Sequence, residues 1–280
     1  MPSRAPIFKE MTVKDIRDYL AERQSIIIPI GIIEQHGYHL PVYTDAMTAE
    51  AVAIAAAKRT GMLCFPVITA CFSGGALPGT VNINPNVSGM VIGETIQSLV
   101  SQGFRNIFLI LGHGGSENYR SLMNTLNLLL RTNPAFEEVM LVFAPIWVAC
   151  PDFVKYMKED RDWHAGLVET SWMLHIAPEL VRMDEIAYDK KKVYERMLAH
   201  PDNYQSAAKP IDHPWVVPRL TQSDDVKVGV MGFPEKASAE LGRKMFEQAV
   251  ETCVTTFTRL EKERAPRYEQ IVFQPEPIVF

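Results

Sequence analysis

The 280-residue chain has a formal net charge of −5, with 47% hydrophobic and 22% charged residues, an ordinary globular composition. It has no basic field to recruit nucleic acid, and no apolar run approaches the roughly 18 residues that a membrane-spanning helix needs. The start, MPSRAPIFKEM, lacks the apolar core of a signal peptide, and the scattered cysteines form no CxxC pair, so we expect a reduced, cytoplasmic enzyme.

Short apolar runs alternate with helical patterns in the first half of the chain. Strands are predicted at 25–30, 62–69, 106–111 and 139–146, and helices at about 46–60, 87–103 and 116–132. The strands are continuously apolar, as expected when helices cover both faces of a parallel sheet. This order predicts an α/β fold of three layers, helix–sheet–helix, around a mainly parallel central sheet.

The second half of the chain is less regular. Helices are predicted at about 165–176 and 236–260, and the latter has an apolar residue at every fourth position from Leu241 to Phe257. The stretch 186–228, rich in Pro, Asp and Lys, is interpreted as an excursion, either a lid or a subunit contact. The tail, 264–280, ends in the apolar IVFQPEPIVF, which indicates that it packs on another surface, such as that of a neighbouring subunit. We expect one domain, 1–280, that forms a homo-oligomer.

The first polar cluster, GIIEQHGYHLPVYTD at 31–45, follows the first strand. Glu34 and His36 are two residues apart, so in an extended segment they point to the same side. Asp45, at the start of a helix, can reach the same place from another direction. Carboxylate oxygen with imidazole nitrogen is the mixed donor set that suits Zn²⁺, Mn²⁺ or Fe²⁺. A hydrogen-bonded polar turn remains the competing interpretation, and His39 is expected to be a hydrogen-bonded neighbour rather than a ligand.

The second cluster, GHGGSEN at 112–118, follows the third strand. His113 should therefore emerge at the edge of the sheet, beside glycines that allow close backbone approach. A glycine-rich turn before a helix could instead cradle a phosphate with its free N–H groups. The sequence has no Walker lysine and no GxGxxG spacing to favour that alternative.

The third cluster, DWHAG at 162–166, precedes a predicted helix that carries Glu169. His164 is a candidate acid or base because the pKa of histidine lies near neutrality. In the competing interpretation Asp162 caps the helix and Glu169 is a surface charge. Substrate contacts are predicted for Ser73, Gly74, Trp147, Asp162 and Trp163. The two tryptophans could wall a planar substrate, although aromatic residues at strand ends commonly belong to the core.

Five strings together resemble the signature set of the creatininase family. They are GIIEQHGYHLPVYTD, GALPGTVNI, LILGHGGSEN, DWHAGLVETS and VGVMGFPEKASAELGR, in the family's order from residue 31 to 243. The resemblance implies hydrolysis of a non-peptide C–N bond, in a cyclic amide or formamide of a small molecule, with one or two divalent ions per chain. It also implies a homo-oligomer, commonly a hexamer, and relatives that include a formamide deformylase and a peptidase.

The resemblance implies that Glu34, His36, Asp45 and His113 bind metal, with Asp45 between two ions, and that His164 shuttles the proton. Creatininase itself has Tyr-Glu after the histidine that matches His113, and that glutamate binds the second ion. This chain has Gly114-Gly115 there, which argues against creatinine as substrate. We expect Glu169, or less favourably Glu117, to supply the missing carboxylate.

These residues predict an amidohydrolase in which a metal-bound hydroxide attacks an amide carbonyl while His164 protonates the leaving nitrogen. Two alternatives are kept. One is a metallopeptidase or deformylase of the same family, and the other is a non-catalytic module that binds metal or phosphate. The last is disfavoured because metal storage needs no proton shuttle.

Overall fold

The chain folds into alternating strands and helices, seen in a computed structural model that describes residues 6–265 and 268–275. In chain order the elements are α1 (Val13–Glu22), β1 (Ser25–Ile30), α2 (Thr44–Thr60), β2 (Leu63–Cys64), α3 (Pro85–Gln102), β3 (Asn106–Leu111), α4 (Ser116–Thr132), β4 (Met140–Pro145), α5 (Ile146–Ala149), α6 (Pro151–Asp160), α7 (Leu167–Ile176), α8 (Lys191–Ala199), β5 (Gln205–Ala208), β6 (Arg219–Gln222) and α9 (Ala239–Glu263).

The central sheet has four strands in the order β2-β1-β3-β4, and every pairing is parallel. Every residue of β1 and β3 is buried, which explains why both strands are apolar without alternation. The predicted α/β fold with a mainly parallel central sheet is thus confirmed.

Alternate residues of the strands face two separate cores, so the sheet is the middle of three layers. On one side Ile27 and Phe108 pack against α2, α7 and α9, and the Phe108 ring stacks on Phe257 with centroids 4.5 Å apart. On the other side Ile26 and Ile107 pack against α3 and α4. The side chains that point to opposite faces of a strand therefore both find apolar partners.

Some boundaries differ from those predicted. The second strand is only Leu63–Cys64, since Pro66 lacks an N–H for the ladder, although Ile68 rejoins β1 through a single bridge to Ile30. Helix α7 begins at Leu167 rather than at 165 because Ala165 has a positive φ of 50°, outside the helical region. Helix α1 was not predicted from the sequence, although its start carries a reciprocal capping box between Thr12 and Asp15.

The 186–228 excursion contains α8 and the antiparallel hairpin β5–β6. Near the tip of this hairpin Trp215 is 90% exposed. Of the predicted tail, residues 266–267 and 276–280 lie outside the described residues, while Ile271, Val272 and Phe273 are exposed. Docking of the tail remains a prediction. Among the described residues, no helix combines the length and the apolar character needed to cross a membrane.

The sheet order creates a crevice at the carboxyl ends of β1 and β3. From β1 the chain passes through α2 to β2 on one side, and then through α3 to β3 on the other. Ligand sites of open α/β sheets lie where the strand order reverses in this way. The first two polar clusters follow β1 and β3, so both come to this crevice.

Candidate metal centre

Two glycines bring the start of α2 against the ends of the central strands. A Cβ on Gly31 would lie 2.5 Å from Ala46 Cα, and one on Gly112 would lie 2.4 Å from the carbonyl oxygen of Asp45. No side chain larger than hydrogen fits at either position without a shift of α2. Asp45 is thereby held in the first turn of α2, where the helix dipole favours a negative charge.

Asp45 lies between two histidines. Its Oδ1 is 3.1 Å from His36 Nε2, and its Oδ2 is 2.9 Å from His113 Nδ1. Glu34 Oε2 lies 3.2 Å from the same nitrogen of His113, and Glu169 Oε2 lies 3.6 Å from His36 Nε2. One carboxylate therefore separates a Glu–His pair on each side.

These side chains form two groups that could each hold a divalent ion. Glu34, Asp45 and His113 form one, and His36, Asp45 and Glu169 form the other, with the potential ligand atoms of each group within 4.8 Å of one another. A further grouping combines Glu34, His36 and His164. Since Asp45 has one oxygen directed to each of the first two groups, the geometry fits a pair of ions that share it.

In both His36 and His113, the ring nitrogen that faces away from Asp45 donates a hydrogen bond to a backbone carbonyl. The Nδ1–H of His36 donates to the carbonyl of Glu34 at 3.0 Å, and the Nε2–H of His113 donates to the carbonyl of Phe72 at 3.0 Å. These bonds leave His36 Nε2 and His113 Nδ1 facing the carboxylates, as the nitrogens that a metal ion would bind once their protons are released. The same arrangement orients histidine ligands in metal sites.

The cluster is also rich in buried negative charge. Glu34 and Asp45 are 8% and 3% exposed, and in the described chain neither forms an ion pair with a lysine or arginine. Burial alone would raise the pKa of Glu34, but the charges of His113 and His164 lower it to about 2. No lysine or arginine of the described chain reaches these carboxylates, so their charge is met by histidines that could instead bind a divalent ion, and the mixed oxygen and nitrogen donors fit Zn²⁺, Mn²⁺ or Fe²⁺.

His164 lies beside the cluster and lines the cavity in front of it. Its Nε2–H donates to the carbonyl of Gln35 at 2.8 Å, and its ring centroid is 4.3 Å from that of His36. His39, by contrast, lies in none of the three groups. It pairs with Thr170 Oγ1 at 3.0 Å, and burial lowers its pKa to about 4.

A cavity of about 380 Å³ opens in front of the cluster, and Glu34, Asp45, His113 and Glu169 form its floor. Of the predicted substrate contacts, Ser73 and Trp163 line it. Gly74, Trp147 and Asp162 are not among its lining residues. Glu117 also lines the cavity but is in none of the three ligand groups, so the structure brings Glu169, and not Glu117, to the cluster.

Asp162 has a different environment from the one expected of a substrate contact. Its carboxylate is 3% exposed and accepts the backbone N–H groups of Leu167, Val168 and Phe233, at 2.7, 2.8 and 3.2 Å. This is the capping role that the sequence left open as the alternative. Trp147 packs between the two cores, and Gly74 lies against the hydroxyl of Tyr204.

The lining residues that the sequence did not predict include Gln35, Tyr204 and Gln222. Gln35 lies between two candidate ligands, and both its backbone carbonyl and its side-chain amide contact His164 Nε2, at 2.8 and 3.0 Å. Tyr204 and Gln222 belong to the irregular excursion, which carries no recognisable motif. Only the long-range fold brings them to the crevice.

Comparison with known proteins agrees with this fold. A family model described as creatininase, creatinine amidohydrolase, matches residues 9–257. The chain belongs to the creatininase family of hydrolases.

Two curated relatives cover nearly the whole chain. A mycofactocin precursor peptide peptidase of Mycobacterium ulcerans (strain Agy99) is 30% identical over 268 residues, which are 91% of this chain and 93% of that protein. A creatinine amidohydrolase of Pseudomonas putida is 27% identical over 285 residues, covering 94% of this chain and 99% of that protein. A crystal structure of creatinine amidohydrolase matches with a TM-score of 0.72 at 23% identity, covering 92% and 98% of the two chains, and this likeness speaks for the fold alone.

Proposed function

We propose that the chain is a metal-dependent amidohydrolase that cleaves a non-peptide C–N bond, in a cyclic amide or formamide of a small molecule. Its ligands would be Glu34, His36, Asp45, His113 and Glu169, and it would bind one or two divalent ions. The observation that carries the proposal is the pair of three-residue groups that share Asp45 at the floor of the cavity. Creatininase structures described as a Zn–Zn type and as a manganese form support zinc or manganese as the metal.

Divalent ions at such a centre lower the pKa of water and polarise a substrate carbonyl. The side chains of the chain fix the geometry in which this chemistry takes place. Asp45 offers one oxygen to each side, while the backbone carbonyls of Glu34 and Phe72 orient His36 and His113 so that their inner nitrogens face the carboxylates. Glu34, Asp45 and Glu169 contribute three negative charges, which would balance most of the charge of two ions.

His164 is assigned the proton transfer. Its Nε2–H donates to the carbonyl of Gln35, between Glu34 and His36 in the chain, and this bond holds the imidazole beside the cluster and at the cavity wall. From this position the imidazole can deliver a proton to the leaving nitrogen of an amide. A positioned acid or base of this kind typically contributes about 10²–10⁴-fold in rate.

The cavity wall supports a substrate without a strongly anionic group. Among the described residues that line it there is no lysine or arginine, whereas Glu117 and Asp202 face it in addition to the proposed ligands. Away from the proposed ions, an anionic substituent would meet the carboxylates of Glu117 and Asp202, and His200 there already pairs with Asp202. A neutral amide is therefore the favoured substrate class.

Cleavage of a peptide bond is the second candidate. It is favoured by the 30% identity to the mycofactocin precursor peptide peptidase, which covers almost the whole of both chains. The same ligands and the same proton donor would serve this reaction, because both reactions break an amide C–N bond.

The proposal is tested with metal-loaded protein against three sets of compounds: cyclic amides, N-formyl amines, and short peptides. We expect hydrolysis in one of the first two sets, with loss of that activity in the His164→Ala variant at unchanged metal content. The matched variant His113→Ala should lose both activity and metal, since a ligand is removed. Cleavage confined to the peptides would replace the leading proposal by the second, and loss of metal from His164→Ala alone would show that the two roles are exchanged.

A further inference from the structure

The loop that follows β2 contacts the candidate ligand Glu34. In this loop Ser73 is buried, and its hydroxyl donates a hydrogen bond to Glu34 Oε1. The other oxygen of the same carboxylate, Oε2, faces His113 Nδ1 at 3.2 Å. The serine therefore holds the oxygen that points away from the histidine, and so fixes which oxygen is presented to the cluster.

The side chain of Asn82 makes hydrogen bonds within this loop. Its Oδ1 accepts the backbone N–H groups of Ser73 and Gly74, at 3.0 and 2.9 Å, and its Nδ2 donates to the carbonyl of Gly75 at 2.6 Å. Three successive residues of the loop are thus bonded to a single side chain. These contacts shape the loop, but they do not join it to another part of the molecule.

Two side chains of the 186–228 excursion also bond to this loop. The hydroxyl of Tyr204 donates to the carbonyl of Ser73 at 2.8 Å, and Gln222 Oε1 accepts the backbone N–H of Ala76 at 2.7 Å. Tyr204 directly precedes β5 and Gln222 ends β6, where Gln205 pairs with Gln222. Both side chains therefore project from the base of the hairpin.

Gly74 shows how closely the two parts approach. It has a φ of +84°, a conformation that glycine adopts without strain, and a Cβ at this position would lie 2.7 Å from the hydroxyl oxygen of Tyr204. The absence of a side chain lets the tyrosine reach the carbonyl of Ser73. The contact needs both the glycine and the hydroxyl.

We propose that Tyr204 is a positioning residue for the metal ligand Glu34, acting through Ser73, so that the base of the β5–β6 hairpin is part of the metal centre. The proposal rests on the proposed function, because it takes Glu34 as a ligand. Tyr204 holds the backbone of Ser73, the Ser73 hydroxyl holds Glu34 Oε1, and Oε2 is left oriented towards the cluster. Partners that orient a ligand in this way typically change metal affinity by about 10–100-fold when they are removed.

The test measures metal affinity rather than activity. Protein stripped of metal is titrated with Mn²⁺ and with Zn²⁺ against a chelating indicator, for wild type, Tyr204→Phe, Ser73→Ala and the double variant. We expect each single variant to bind about 10-fold more weakly, and the double variant to bind no more weakly than the weaker single variant. Residues that act in one chain of contacts show this lack of additivity.

Tyr188→Phe is the matched control, since it also removes one tyrosine hydroxyl, but from a hydrogen bond to Glu235 that involves neither the loop nor the cavity. It should bind metal as the wild type does. Because Tyr204→Phe keeps the ring, it should remain folded, and thermal unfolding of the metal-free protein checks this. Should it unfold, Gln222→Ala, which removes the other contact of the hairpin base with the loop, replaces it in the comparison with Ser73→Ala and the double variant.

Two results would overturn the positioning role while leaving the proposed function intact. One is wild-type affinity in both Tyr204→Phe and Ser73→Ala. The other is a double variant whose loss equals the product of the two single losses, since Tyr204 would then act independently of Ser73. A wild-type protein that binds neither ion would instead refute the metal centre itself, and the positioning role with it.

Discussion

Replacing Gly112 with alanine should displace the first turn of α2 and, with it, Asp45. The added Cβ would lie 2.4 Å from the carbonyl oxygen of Asp45, whereas real Cβ contacts essentially never fall below 3.0 Å. The backbone must therefore move by at least the difference, 0.6 Å. The obstacle is backbone rather than a flexible side chain, and Gly112 is itself fixed by its N–H bond to the carbonyl of Ile30 at 2.8 Å.

Overpacking of this kind typically costs about 1–3 kcal/mol. With a shift of roughly 2–4 °C per kcal/mol for a chain somewhat smaller than this one, Tm should fall by about 2–12 °C. Metal affinity should fall as well, because Asp45 contributes an oxygen to both ligand groups. A displacement of several tenths of an ångström exceeds the roughly ±0.2 Å range of ligand distances in metal sites.

The assay is thermal unfolding of metal-free protein, together with a metal titration of the same samples. Gly114→Ala is the control two residues away, since its Cβ would meet Trp147 Cζ3 at an ordinary 3.9 Å. This variant should resemble wild type in both measurements. If Gly112→Ala matched Gly114→Ala in Tm and in metal affinity, the idea that close packing of Gly112 fixes Asp45 would be wrong.

Three other measurements follow from the structure. Asp162→Ala should lower the free energy of unfolding by about 1–3 kcal/mol, since it leaves three backbone N–H groups without their acceptor, and an unchanged urea midpoint would contradict this. Burial raises the pKa of the Cys64, Cys71 and Cys253 thiols to about 12, so at pH 8 these thiols stay protonated. They should react with a disulfide reagent only after denaturation, and fast labelling of the folded protein would refute their burial. Sedimentation at micromolar concentration should show a homo-oligomer, the expected state being a hexamer, and a monomer would exclude the proposed role of the apolar tail.

The central strands could be predicted from sequence because burial on both faces leaves a continuous apolar run. The bounds of β1 and β3 agree with the predicted 25–30 and 106–111. The run at 62–69 has the same composition, but Pro66 interrupts the ladder, and composition alone does not show where pairing stops. The start of α7 was likewise hidden, since the positive φ of Ala165 depends on the contacts around it.

The cluster could be predicted in part for a similar reason. Glu34, His36 and His113 follow neighbouring strands, and parallel strands bring their carboxyl ends to one edge. The choice between Glu169 and Glu117 could not be made from spacing, because it depends on how α7 packs against the sheet. Tyr204 lies 131 residues from its partner Ser73 in the chain, so no local pattern connects the two.

The most direct test of the proposed metal centre is metal analysis of protein purified without chelator. We expect one to two divalent transition ions per chain, with lower occupancy in Glu34→Ala, His36→Ala and Asp45→Ala. Asp45→Ala should show the largest loss, because only this residue belongs to both proposed ion groups. Anomalous scattering at the absorption edges would identify the ions and place them on either side of Asp45. Full metal content in all three variants would contradict the assignment.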